Sequence, residues 1–184
     1  MASFIVLLRG VNVGGITIRM ADLCRRLSQG DFAAVRTVLA SGNVLVETEL
    51  PSAEVTEQVQ QILRESYGYD AWVQVLTPDM LARIERQYPF HTDESTHQPY
   101  VVFCRSQEVL EELCADLPPD QPELEQVAPG ESCLYWQVPK GQSVHTPVAK
   151  LLARARYKAD TTTRNLRTVR RLLEGTSPET AQSR

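Results

Sequence analysis

The chain has 184 residues, 42% of them hydrophobic and 23% charged. That is enough apolar surface for a core without disulfide or metal staples, and it excludes disordered, collagen-like and disulfide-scaffold classes. The formal charge of −4 hides an asymmetry: residues 1–139 carry 9 basic and 20 acidic side chains, whereas residues 140–184 carry 10 basic and 3 acidic.

Phe4–Arg9 is a continuous apolar run closed by an arginine, the pattern of a buried strand. It is too short for a membrane span and has no basic stretch before it, so a buried strand is expected here and not a signal peptide or membrane span. Arg9–Gly15 (RGVNVGG) follows as a glycine-rich loop. Met20, Leu23, Cys24 and Leu27 recur at i, i+3, i+4 and i+7, which predicts a helix over Met20–Gln29, ended by Gly30. Ala34–Leu39 and Val44–Thr48 read as strands joined by a hairpin at Ala40-Ser41-Gly42-Asn43. A second helix starts at Pro51-Ser52, shows Val55, Val59, Ile62 and Leu63 on one face, and stops before Gly68. Tyr69–Leu76 is a fourth strand. The order β-α-β-β-α-β is that of a ferredoxin-like unit.

Thr77-Pro78-Asp79 caps a short helix running through Gln87. Pro89–Pro99 is a polar connector and the expected boundary. After it come a strand at Tyr100–Cys104, a helix at Gln107–Leu117, strands at Leu124–Val127 and Leu134–Val138, and a helix over Val144–Tyr157. At the place of a fourth strand, Asp160–Asn165 (DTTTRN) reads as the lead-in and cap of another helix, Leu166–Glu174. The expected fold is therefore α+β: two ferredoxin-like (β-α-β-β-α) halves with antiparallel sheets and an additional C-terminal helix. The expected domains are residues 1–88, residues 89–176 with the terminal helix, and a tail at 177–184.

Three segments are candidates for binding chemistry. In RGVNVGG, Gly14 and Gly15 permit backbone N–H groups to converge on an anion, beside the charge of Arg9 and the amide of Asn12. The glycine spacing matches neither a P-loop nor a dinucleotide fingerprint, and a wide turn that needs glycine is the structural alternative. The second is Ser41-Gly42-Asn43, which on its own is ordinary hairpin chemistry. In a ferredoxin-like unit, however, the first and third strands are antiparallel neighbours. The end of the first strand then lies beside the start of the third, and Arg9 and Asn12 share a sheet edge with Ser41 and Asn43. A guanidinium, two amides, a hydroxyl and glycine backbone suit a polar or anionic group. The third is Thr161–Asn165, where Arg164 and Asn165 would sit at the positive end of a helix. Lys150, Arg154 and Lys158 add a basic stripe, and a solvated face or packing against the acidic body explains it equally well.

No catalytic set closes, and the residues name no cofactor. Ser41 has no His and acid partners at recognisable spacing. The sheet strands FIVLLR and NVLVET lack the aromatic pair on which RNA-binding sheets stack bases. The four cysteines show no C-x-x-C pair, and the three histidines do not lie near them at zinc-ligand spacing, so no metal site is expected. Cys24, Cys104 and Cys114 are expected to be free and mostly buried, while Cys133 is left open. A reducing compartment, the cytoplasm, follows.

RGVNVGG before a methionine-led helix, the SGNV hairpin and a late TTRN before a helix together resemble the bacterial proteins grouped as domain of unknown function 1697. The resemblance runs from Phe4 to about Leu173. It implies an α+β fold with ferredoxin-like halves and a signature at Arg9, Asn12, Gly14, Gly15, Met20, Ser41, Gly42, Asn43, Thr163, Arg164 and Asn165, without a reaction. The arginine-rich RTVRRLL after TTRN departs from the pattern.

The leading expectation is a small polar or anionic, phosphate-bearing ligand held by Arg9, Asn12, Gly14, Gly15, Ser41, Gly42, Asn43, Arg164 and Asn165. The alternatives are nucleic-acid binding through the basic C-terminal helices and a dimerising interaction module. No membrane partner is expected.

Overall fold

Eight antiparallel strands in two sheets carry the architecture of the computed structural model, which describes residues 1–9, 17–70, 72–91, 93–118 and 125–176. The apolar run after Met1 forms β1 (Ala2–Leu8). It is central in its sheet, and five of its residues in succession are buried, Phe4 through Leu8. A strand covered on both faces needs apolar residues at every position, which is why the run does not alternate. Helix α1 (Met20–Leu27) leads to β2 (Ala34–Thr37) and β3 (Asn43–Thr48); α2 (Ser52–Tyr67) and β4 (Val73–Leu76) complete the order β2-β3-β1-β4. All three pairings are antiparallel. Phe4, Val6 and Leu8 point to one face, where Leu23, Leu27, Val55, Val59 and Leu63 of the two helices close the first core.

Helix α2 ends where its sequence says it must. Gly68 takes φ 60° and ψ 24°, and its N–H donates back to the carbonyls of Arg64 and Leu63. A Cβ there meets no atom within 4 Å, so the demand for glycine is conformational and not steric. Gly68→Ala is expected to cost about 1 kcal/mol in a urea unfolding experiment.

Helix α3 (Pro78–Arg86) follows, with the N–H of Met80 donating to the Thr77 hydroxyl oxygen at 3.2 Å, as a cap should. The second sheet is built from β5 (His97–Cys104), β6 (Gln126–Pro129), β7 (Cys133–Pro139) and β8 (Thr161–Asn165), in the order β6-β7-β5-β8. Helices α4 (Gln107–Ala115), α5 (Pro147–Leu152) and α6 (Ala155–Asp160) accompany it, and α7 (Leu166–Thr176) closes the chain. Val102, Cys104, Leu134, Trp136 and Val138 meet Leu110, Leu113, Val148, Leu151 and Tyr157 in the second core. The α+β fold with two ferredoxin-like halves is thus present. The chain divides into two compact units, Met1–Ala82 with Arg170–Arg184, and Arg83–Val169, and the division falls inside α3 and α7.

Two local readings change, and one left open is settled. Thr161–Asn165 is not a cap but the fourth strand of the second sheet, paired antiparallel with β5 from Tyr100↔Asn165 to Cys104↔Thr161. Three successive β-branched threonines suit an extended edge strand, but with no apolar alternation the segment carries no strand period. The cap of α7 is supplied by Asn165, whose side-chain oxygen accepts from the Arg167 N–H at 2.9 Å. Val144–Tyr157 is not one helix: Arg154 is extended (φ −61°, ψ 142°) and separates α5 from α6. Neither glycine nor proline marks that break; it lets both Leu151 and Tyr157 reach the second core. Cys133, left open by the sequence, is fully buried within β7.

Near the chain's end, the Arg36 guanidinium donates to the Gly175 carbonyl at 2.7 Å. A Cβ at Gly175 would lie 2.8 Å from Leu45 Cδ1, so the last turn of α7 seats closely on the first sheet.

Candidate functional site

The pairing of β1 with β3 sets the candidate site. Leu7 lies opposite Asn43, and the Leu8 N–H donates to the Gly42 carbonyl at 2.8 Å. Arg9 therefore leaves the ladder alongside Ser41. The structure brings Arg9, Ser41, Gly42 and Asn43 to one end of the first sheet. Asn12, Gly14 and Gly15 lie outside the described residues.

The hairpin between β2 and β3 is built by its own polar groups. The Asn43 side-chain amide, fully buried, donates to the Val38 carbonyl at 3.0 Å and to the Ser41 hydroxyl oxygen at 2.9 Å. The Val38 N–H donates to the Asn43 carbonyl at 2.9 Å. Asn43 thus shapes the turn and presents Ser41, which is exposed. Gly42 has φ 76°, a left-handed conformation suited to glycine. Leu39 also has a positive φ, 60°, and is 44% exposed. A leucine held left-handed at a hairpin tip stores strain, and its type gives no signal of it in the sequence.

The chain path brings further groups to the same end of the sheet. Helix α1 starts there because β1 ends there, and α2 ends there because β3 begins there. Between the two helices, Asp22 accepts from Arg25, from Arg26 Nε at 3.0 Å and from the Tyr67 hydroxyl at 2.6 Å. The Arg26 guanidinium lies 5.4 Å from the Tyr67 ring centroid. These donors hold the Asp22 carboxyl well below the usual carboxylate range, the Tyr67 hydroxyl first among them. Burial, and then the bond to Asp22, push the Tyr67 phenol up to about 12. Asp22, Arg25 and Arg26 at i, i+3 and i+4 were readable as a helix-surface cluster; Tyr67, 45 residues away in sequence, was not.

Arg164 and Asn165 lie on β8, in the other unit. Arg164 is only 7% exposed, and Nη1 donates to the Thr162 hydroxyl oxygen and to the Thr163 carbonyl, both at 2.9 Å. Several basic groups of the C-terminal segment pair with acidic ones of their own unit: Arg156 with Glu112, Arg167 with Glu94 at 2.9 Å, and, from the other direction, Arg105 with Asp160 at 3.3 Å. Among the described residues no group of three His, Cys, Asp or Glu side chains is placed to hold a metal ion. No described helix is long and apolar enough to cross a membrane.

A family model described as protein of unknown function (DUF1697) matches residues 1–135. The fold is similar to that of a conserved bacterial protein, SP0830, from Streptococcus pneumoniae, with a TM-score of 0.80 at 19% identity over 95% of this chain and 98% of that one. A second solved structure, an unknown protein from Galdieria sulphuraria, is 18% identical over 89% of this chain and 96% of that one, but its TM-score of 0.24 carries no argument. No curated protein matches the chain.

Proposed function

The chain belongs to the DUF1697 family of proteins of unknown function, and from that premise we propose that it binds a small anionic, phosphate-bearing ligand at the end of its first sheet, where Arg9 comes alongside the Ser41-Gly42-Asn43 turn. One observation carries the reading: the 2.8 Å bond from the Leu8 N–H to the Gly42 carbonyl, which brings an arginine to a glycine turn. Arg9 supplies a forked cation and Ser41 a hydroxyl at the exposed tip, while the left-handed Gly42 makes the turn that carries Ser41. Asn43 holds the turn in shape. The strained Leu39 beside it supports the same place, since backbone strain gathers where a site over-determines its loop. Arg164 and Asn165 are given to β8 and to the cap of α7. Free thiols at all four cysteines fit a reducing compartment, and we assign the protein to the cytoplasm.

Titration with inorganic pyrophosphate in a calorimeter tests this. Arg9→Ala is expected to weaken binding about tenfold, and Ser41→Ala severalfold. Binding that is unchanged in Arg9→Ala would falsify the assignment.

A further inference from the structure

The first unit is electrically polarised along its sheet. Glu47 and Glu49 lie at the far end of β3, Glu54 and Glu57 in the first turns of α2, and Asp31 beside Thr48, whose hydroxyl donates to the Asp31 carbonyl at 2.8 Å. At the opposite end stand Arg9 and Arg19, and the guanidiniums of Arg25 and Arg26 reach back from the last turn of α1 to Asp22 in its first. A field of this shape draws anions to one end.

That end also holds a cleft of about 640 Å³ lined by Thr17, Arg19, Ala21, Asp22, Arg25 and Tyr67. The cleft is open to solvent, and its volume is far more than a lone phosphate fills and within the range of sites that take a whole metabolite. The charges there do not cancel. Two guanidiniums, of Arg19 and Arg25, line it with one carboxylate, so one positive charge remains after Asp22 is counted. Asp22 has both oxygens engaged, one by Arg25, the other by Arg26 and Tyr67. It acts as a positioning residue that holds Arg25 at the cleft, and its charge stays present at neutral pH. Arg19 and Arg25 are exposed; Asp22 holds Nη2 of Arg25, and phosphate oxygens can reach the Arg19 fork and the outward side of Arg25.

We propose that this cleft is a second binding site, distinct from the Arg9 edge, for a phosphorylated metabolite of nucleoside-diphosphate size, with its phosphates on Arg19 and Arg25 and its body along Thr17 and Tyr67. This goes beyond the reading of the Arg9 edge and does not depend on it.

The test uses the full chain, with ADP, pyrophosphate and adenosine as probes in calorimetric titrations of the wild type, of an Arg19→Ala/Arg25→Ala variant and of Arg9→Ala. The wild type is expected to bind ADP at least tenfold tighter than either pyrophosphate or adenosine. The double variant is expected to lose at least about 30-fold in ADP affinity with an unchanged far-ultraviolet circular dichroism spectrum, since both side chains are exposed. Arg9→Ala is expected to bind ADP within threefold of the wild type. The proposal is overturned if ADP does not bind, if adenosine binds as tightly, if pyrophosphate binds the Arg9→Ala variant as tightly as ADP does, if the double variant binds ADP like the wild type, or if Arg9→Ala abolishes ADP binding. Loss of pyrophosphate binding in Arg9→Ala with ADP binding intact leaves both sites standing. Pyrophosphate binding that is indifferent to Arg9 removes the edge reading alone.

Discussion

Replacing Glu125 with alanine is expected to cost about 3 kcal/mol of stability. Glu125 is a carboxylate only 3% exposed. Its Oε2 accepts from the Trp136 indole N–H at 2.7 Å, and its Oε1 from the Val148 N–H at 3.2 Å. Val148 is the second residue of α5, so one carboxylate satisfies an orphan donor of a helix N-terminus and a buried indole on β7. Alanine leaves both donors buried without an acceptor, at about 1–3 kcal/mol each. Glu125→Gln retains one oxygen and should lose roughly half as much. Urea unfolding followed by tryptophan fluorescence measures both. An alanine variant within about 0.5 kcal/mol of the wild type would show that the two donors find other partners.

Raising the pH is expected to destabilise the protein well before lysines titrate fully. Burial pushes the Cys104 thiol up from 9.0 to about 12, with Cys133 and Cys114 nearby adding to the effect. Burial likewise pushes Cys133 up from 9.0 to about 11. Both folded values exceed the unfolded one. Below about pH 9 the thiols are neutral in either state, and their contribution is fully present. Above it the unfolded chain releases protons that the folded chain holds, and stability falls until the pH passes the folded values. At roughly 1.4 kcal/mol per unit, the two thiols together remove on the order of 6 kcal/mol between pH 9 and 12. Urea midpoints at pH 8, 9, 10 and 10.5 should fall progressively, and a Cys104→Val/Cys133→Ala variant should show a shallower decline. A flat profile to pH 10.5 in the wild type contradicts the argument. Iodoacetamide at pH 8 gives an independent check: both thiols should stay unmodified in the native protein and react in urea.

Much of the fold was legible because its signals are local. The unbroken run Phe4–Leu8 declares a strand buried on both faces, and Gly68 declares the end of α2. The order β-α-β-β-α-β makes β1 and β3 neighbours, and from that adjacency follows the meeting of Leu8 with Gly42. What escaped depends on partners distant in sequence or on residues used against type. β8 is polar throughout and becomes a strand by pairing with β5. The link from Asp22 to Tyr67 spans two helices, and that from Glu125 to Trp136 joins a residue before β6 to one on β7. No leucine advertises a left-handed φ, as Leu39 adopts. In the sequence Arg164 reads as an anion-binding residue at the start of a helix; its fold-back onto Thr162 and Thr163 needs the strand to exist first.

The division of the chain inside α3 and α7 makes residues 83–169 an insertion within the first unit, not a second bead on a string. A construction engineer would therefore cut this chain differently from a tandem repeat. A fragment ending at Ala82 forfeits the Gly175 carbonyl that Arg36 holds and the helical turn seated against Leu45. A fragment ending at residue 135, where the family match stops, breaks off inside β7. The excision that respects the connectivity removes the middle and rejoins the flanks, retaining in one molecule every piece that the first sheet uses.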